Sequence, residues 1–146
     1  MTTALPFAVH PLSTNLVAWQ AGQPITRARL VADARRLALQ LPASGSMLNA
    51  CHDRYHFTVG FLAAMMRGQL SVLPNNLVAQ TLVELRGRFA DLYCLTDQPE
   101  PMGELPCVDC AAVLAAPAAA TTASDDAMPA YPLSQVAACL FTSGST

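Results

Sequence analysis

No lysine occurs among the 146 residues, so all eight basic side chains are arginine. Schiff-base chemistry and the lysine of a phosphate-binding P-loop are thereby excluded from this stretch of chain. Charge of either sign is scarce, at 12% of residues, and the formal net charge is -2. The broad basic field that holds nucleic acid non-specifically is therefore absent, and no nucleic-acid partner is expected. Long apolar runs are missing too. The longest nearly unbroken one, Phe57 to Met66, is far below the ~20 residues a membrane span needs, so no span is expected. The opening Met-Thr-Thr-Ala-Leu-Pro has neither a basic stretch nor a long apolar core, so it does not read as a secretory signal and the cytoplasm is the expected location. Nor is there a disulfide framework: the five cysteines are odd in number and scattered through apolar stretches. They are read as reduced, with Cys51, Cys94 and Cys139 acting as small buried hydrophobes.

What the chain has in quantity is apolar material, 53% of residues with a mean hydropathy of +0.33. That is too much to stay disordered, and the length fits one domain at the usual ~100 to 200 residues each. Leu16 to Trp19 reads as a strand closed by a turn at Ala21-Gly22-Gln23-Pro24. Thr26 then caps a helix whose apolar face is Leu30, Ala34, Leu37, Ala38 and Leu41, stopped by Pro42. Met47 to Cys51 is short and apolar enough for a strand buried in a parallel sheet. Arg54 to Arg67 is a helix apolar on nearly every side, ended by Gly68.

Gln69 to Leu73 is a second strand, closed by Pro74-Asn75-Asn76. Ala79 to Phe89 places Leu82, Leu85 and Phe89 on one helical face and offers a Glu84 to Arg88 pair. Asp91 to Leu95 is a third strand. This alternation predicts βαβ units: a layered α/β fold with a mostly parallel sheet and helices on both faces. Gln98 to Pro106 reads as a loop and Val108 to Leu114 as an edge strand. Ala115 to Pro132, rich in Ala, Thr, Ser and Pro, reads as a flexible surface connection. Val136 to Phe141 is one more buried-strand candidate, running straight into Thr142-Ser143-Gly144-Ser145-Thr146.

A strand that empties into five small residues, four hydroxylated and one glycine, offers backbone N–H groups and hydroxyls that can converge on phosphate oxygens. Gly144 permits the backbone angles such a cradle needs, and ligands in open α/β sheets sit beyond the carboxyl ends of strands. On composition alone the same cluster is also an ordinary solvated turn.

Phe141-Thr142-Ser143-Gly144-Ser145-Thr146 resembles the ATP phosphate loop of the adenylate-forming superfamily, which contains acyl-CoA synthetases, peptide-synthetase adenylation domains and luciferases. The likeness extends upstream. Thr26 to Leu41 resembles that family's first long helix, Met47 to Cys51 its following strand, and Phe57 to Asn76 its helix, glycine turn, strand and Pro-Asn. It covers roughly residues 16–96 and 133–146. A narrower likeness, through Cys51-His52-Asp53-Arg54-Tyr55 and Arg67 to Pro74, is to acyl-activating ligases found with aryl polyene pigment biosynthesis.

The resemblance implies the N-terminal portion of an AMP-binding domain over residues 1–146. It implies an enzyme that uses ATP and Mg²⁺ to convert a fatty or aryl carboxylic acid to an acyl adenylate, then passes the acyl group to the thiol of CoA or an acyl carrier protein. Thr142, Ser143, Ser145 and Thr146 would donate to phosphates and Gly144 would keep the backbone close. In the family this motif continues through glycine and proline to a lysine, which these residues do not include. The acid-binding segment, the acidic residue associated with magnesium and the C-terminal domain are likewise not among them. No catalytic residue is assigned, and the piece alone is expected to be inactive, its C-terminal remainder being a needed partner. The rival reading is a non-catalytic truncated α/β module acting in protein association through an exposed sheet edge.

Other constellations read as structural. Cys107-Val108-Asp109-Cys110 has the spacing of a zinc or redox pair, but a second pair at ribbon spacing is missing and structural thiols are expected. His52 and His56 are i,i+4, yet His52 precedes the helix and no His-Glu-x-x-His pattern accompanies them; capping or surface roles are expected. Asp53 is expected to cap the helix that begins at Arg54, Met65 and Met66 to fill core, and Asp125 and Asp126 to face solvent.

Overall fold

The computed structural model describes residues 3–7, 15–43, 45–117 and 129–142. In chain order the elements are β1 (Ala4–Pro6), β2 (Leu16–Gln20), β3 (Gln23–Thr26), α1 (Arg27–Ala38), β4 (Ser46–Asn49), α2 (Arg54–Met66) and β5 (Leu70–Leu73). They continue with α3 (Ala79–Arg88), β6 (Leu92–Thr96), β7 (Cys107–Asp109), α4 (Cys110–Ala115), β8 (Ala130–Pro132) and β9 (Ala138–Leu140). Five strands form one sheet in the order β7-β6-β4-β5-β9, and every pair in it is parallel.

The alternation of side chains along a strand builds the two layers. On β4, Met47 joins a core with α1, α2 and Cys110 of α4, while Leu48 joins a second core with Leu82 and Leu85 of α3. On β6, Tyr93 and Leu95 face the first core and Leu92 and Cys94 the second. Helices thus cover both faces, as the βαβ pattern predicts. Each fully buried aliphatic side chain contributes about 1.5–3 kcal/mol, and Leu37, Met47, Leu48, Val59 and Leu95 all have 0% exposure.

Local chemistry sets the boundaries. The Thr26 side chain caps α1 by accepting from the Arg29 N–H at 3.2 Å. That helix ends at Ala38, four residues before Pro42, because the Leu39 cap already closes onto Arg35 and Leu37. Gly68, at φ 67, ends α2: its N–H donates to Met65 O at 3.0 Å and that of Gln69 to Ala64 O at 2.9 Å.

Five expectations need correction. The turn after β2 is only Ala21-Gly22; Gln23 and Pro24 belong to β3, which pairs antiparallel with β2 in a separate two-stranded ribbon where proline is tolerated. Of the expected edge strand Val108 to Leu114 only Val108 and Asp109 are extended, in β7, because the Asp109 side chain accepts from Ala112 N–H at 2.9 Å and starts α4. The connection from Ala115 to Pro132 begins inside α4 and ends in β8, which pairs with β1; residues 118–128, including Asp125 and Asp126, lie outside the described residues. β9 is at the sheet edge rather than buried, with Leu140 72% exposed. The Glu84 to Arg88 pair is also replaced: Glu84 accepts from Gln80 Nε2 at 3.0 Å, and the Arg88 guanidinium lies over Phe141.

Gly45 enters β4 at φ 116, and a Cβ there would lie 2.3 Å from the backbone oxygen of Asp91. Gly87, in α3, has open space where its Cβ would be. Gly45→Ala is therefore expected to destabilise by about 2 kcal/mol or more, whereas Gly87→Ala stabilises by about 0.5–1 kcal/mol. Denaturant melts of the two variants check the opposite signs.

Candidate functional site

Because all five strands run the same way, their carboxyl ends share one edge. That edge gathers His52 and Asp53 after β4, Asn75 and Asn76 after β5, Asp97 and Gln98 after β6, and Phe141 and Thr142 after β9. Two clusters arise there.

The first ties β6 to the β4–α2 junction. Asn49, 7% exposed, donates from Nδ2 to Phe57 O at 2.9 Å and accepts from Cys51 N–H at 3.4 Å. Asp53 caps α2, accepting from the N–H groups of Tyr55 at 2.8 Å and His56 at 3.0 Å. Gln20 Nε2 also donates to it, at 3.3 Å. The His56 N–H holds the Asp53 carboxyl below its ordinary 3.8, against a smaller opposing effect of burial.

Asp97 then accepts from the backbone N–H groups of His52 and Asp53, both at 2.9 Å, and from Gln98 Nε2 at 3.0 Å. His56 Nδ1 lies 3.0 Å from Oδ2, the oxygen that also accepts from the Asp53 N–H, and the Asp97 side chain is only 3% exposed. Burial alone would push this carboxyl up. The His52 and Asp53 N–H groups, with Gln98 and His56, outweigh it and hold Asp97 well below the usual carboxylate range. An ionised Asp97 can only accept, so the His56 Nδ1 facing it carries a proton and donates.

The second cluster lies beside β5 and β9. The Phe141 N–H donates to Leu73 O at 3.2 Å, and its ring meets Phe89 edge-on at 6.4 Å. Arg88 sits 5.6 Å over that ring. Asn76 Oδ1 accepts from Thr81 Oγ1 at 2.6 Å, fixing the start of α3. Between these elements lies a cleft of about 440 Å³ lined by Asn75, Thr81, Glu84, Arg88, Phe141 and Thr142 together with Leu85. A larger cavity, about 690 Å³, opens at the other edge near Pro42, Asp91 and Pro106. It sits at the amino ends of the strands, the wrong end for a ligand of a parallel sheet.

Of the expected loop, Thr142 is exposed at the carboxyl end of β9; Ser143, Gly144, Ser145 and Thr146 lie outside the described residues. His52 precedes α2 and His56 is taken up by Asp97. Cys107 and Cys110 separate, Cys107 exposed and Cys110 buried, and all five cysteines are free. Among the described residues no group of three His, Cys, Asp or Glu is placed to hold a metal ion. Met66 packs against the first core. Asp97 is the residue that sequence reasoning missed; its one signal was an acid directly following a buried strand.

At the level of fold the chain is an α/β protein, a parallel sheet layered between helices. No protein-family model and no curated protein matches the chain. Solved structures of o-succinylbenzoate coenzyme A synthetase (MenE) from Bacillus subtilis do. Its complex with AMP superposes on 99% of this chain with a TM-score of 0.71 at 18% identity. Its complex with the acyl-adenylate intermediate OSB-AMP covers 86% at a TM-score of 0.59 and 16% identity. Its complex with ATP and magnesium ion covers 64% at 0.52 and 17% identity. The chain spans 40%, 35% and 28% of those solved chains respectively. Among the described residues no helix is long and apolar enough to cross a membrane.

An Asp97 that is ionised and four-fold bonded when folded contributes stability that is complete above its unfolded pKa, near 4. That contribution drains away as the pH falls below this value toward the depressed folded pKa. Asp97→Asn is expected to cost about 1–3 kcal/mol at pH 7 and to flatten the acid limb of stability against pH. Urea melts at stepped pH check both.

Proposed function

We propose that this chain is the N-terminal portion of an ATP- and Mg²⁺-dependent ligase that activates a carboxylic acid as its acyl adenylate and hands the acyl group to a thiol, of CoA or of a carrier protein. The observation that carries the reading is the position of Thr142. It leaves β9 at the carboxyl edge, beside a cleft whose lining includes the donors Asn75 and Arg88. The likeness of fold to a coenzyme A synthetase solved with AMP supports it.

The cleft offers a phosphate-bearing ligand the Thr142 hydroxyl, the Asn75 carboxamide and the Arg88 guanidinium, while the Thr81 hydroxyl is spent on Asn76 and Glu84 adds one carboxylate to the lining. In this reading Thr142 Oγ1 donates to a phosphate oxygen, and Ser143, Ser145 and Thr146 extend the same row of donors around Gly144. Arg88, held over Phe141, contributes positive charge beside them. Donors fixed there favour in-line attack of a carboxylate oxygen on the α-phosphorus by compensating charge on the departing pyrophosphate. Magnesium, when bound, adds Lewis-acid compensation of the same charge. The acid, fatty or aryl, is read by residues beyond these.

Reading the coding sequence past Thr146 is the first test, since continuation through glycine and proline to lysine supports the ligase. An immediate stop supports the association module, for which exposed Val136 and Leu140 at the open β9 edge are the favouring observation. The isolated 146-residue polypeptide is expected to show no acid-dependent exchange of pyrophosphate into ATP, and robust exchange by it overturns the reading of a partial site. In the extended protein Thr142→Val is expected to lower that exchange by about tenfold or more.

A further inference from the structure

The two cysteines of the C-x-x-C spacing do not face each other; each meets a different partner. Cys110 is buried in the first core with Cys51, and its Sγ lies 3.9 Å from His56 O. Cys107 sits on β7, directly in register with Cys94 of β6. The pairing is firm, because the Cys94 N–H donates to Pro106 O at 2.8 Å. Neighbouring strands stand about 4.8 Å apart, which lies inside the roughly 4.4–6.8 Å between Cα atoms that a disulfide spans. Register partners also project to the same face of a sheet.

The two thiols differ in access. Cys94 is fully buried in the second core and Cys107 is exposed, its Sγ 3.4 Å from Leu105 O. From these positions we infer that Cys94 and Cys107 form a redox site, an accessible attacking thiol and a buried resolving thiol that close a disulfide across the β6–β7 edge in the presence of a low-molecular-weight disulfide.

The chemistry balances in two exchanges. The Cys107 thiolate attacks one sulfur of the small disulfide, whose S–S bond breaks; one small thiolate leaves and takes up a proton. The Cys94 thiolate then attacks the Cys107 sulfur, forming the Cys94–Cys107 bond and releasing the second small thiol. The protein's two thiols are oxidised by two electrons and the small disulfide is reduced to two thiols.

The second exchange sets the pace. Burial, and then the charge and hydrogen bond of Cys107, push the Cys94 thiol up to about 12. Once closed, the bond fastens β7, an edge strand of three residues, to β6.

The test incubates the protein with glutathione disulfide, blocks remaining thiols and maps linked peptides by mass spectrometry without reduction. A Cys94–Cys107 link is expected. Its second step should accelerate about tenfold per pH unit between roughly pH 7 and pH 9, following the thiolate fraction. Cys94→Ala should instead accumulate the Cys107–glutathione adduct. Cys107→Ser, a change at an exposed side chain, should abolish both species. The inference is overturned if Cys107 stays unreacted, if the wild-type protein stops at the adduct with Cys94 free, or if Cys107 links two copies of the chain.

Discussion

The burial of β4 on both faces is the constraint from which the rest of the structure follows. A strand of four residues flanked by β6 and β5 has its backbone groups occupied on both sides, and its side chains divide between two cores. Such a strand cannot be amphipathic, which is why Met47-Leu48 is apolar without alternation. It also needs helical cover above and below, and α2 and α3 supply it while carrying the chain to β5 and then back across β4 to β6. The parallel direction of all five strands is the outcome of those crossovers, and with it the gathering of five strand ends at one edge.

At that edge the chain solves a problem that parallel sheets always pose. The first N–H groups of α2 and the residues leading into it have no partners within the helix. Asp53 accepts two of these groups and Asp97 two more, from His52 and Asp53 itself. Two carboxylates close together at a helix start would repel, but each is compensated by backbone donors and the helix dipole favours negative charge there. The end of β6 is thereby fixed against the end of β4, while the neighbouring β5–β9 side keeps an open cleft. The division separates a tightly bonded half, which positions, from a half whose cleft is lined by the Thr142 hydroxyl, the Asn75 carboxamide and the Arg88 guanidinium.

Much of this was legible in the residues. Thr26, Asp53 and Gly68 are local punctuation whose chemistry is the same in any fold, and they mark helix ends where expected. The strands β4, β5 and β6 are apolar runs too short for helices and closed by turn residues. The failures share a cause. Cys110 to Ala115 is also a short apolar run, and only the Asp109 cap decides that it is a helix. Gln23-Pro24 looks like a turn because its partner strand supplies what its composition does not. β8 depends on β1 at the opposite end of the chain, and Asp97 on a junction more than forty residues earlier. No local pattern encodes a partner that far away.

The order of strands has a kinetic side. β4, β5 and β6 all lie between Ser46 and Thr96, so the centre of the sheet closes with comparatively short loops, and their entropic cost rises only slowly with length. β9 must return from Ala138 to meet Ser71. On a ribosome, where the N-terminal segment emerges first, the two cores can form around the middle strands while β9 is still being synthesised. Its arrival then adds to a scaffold already in place.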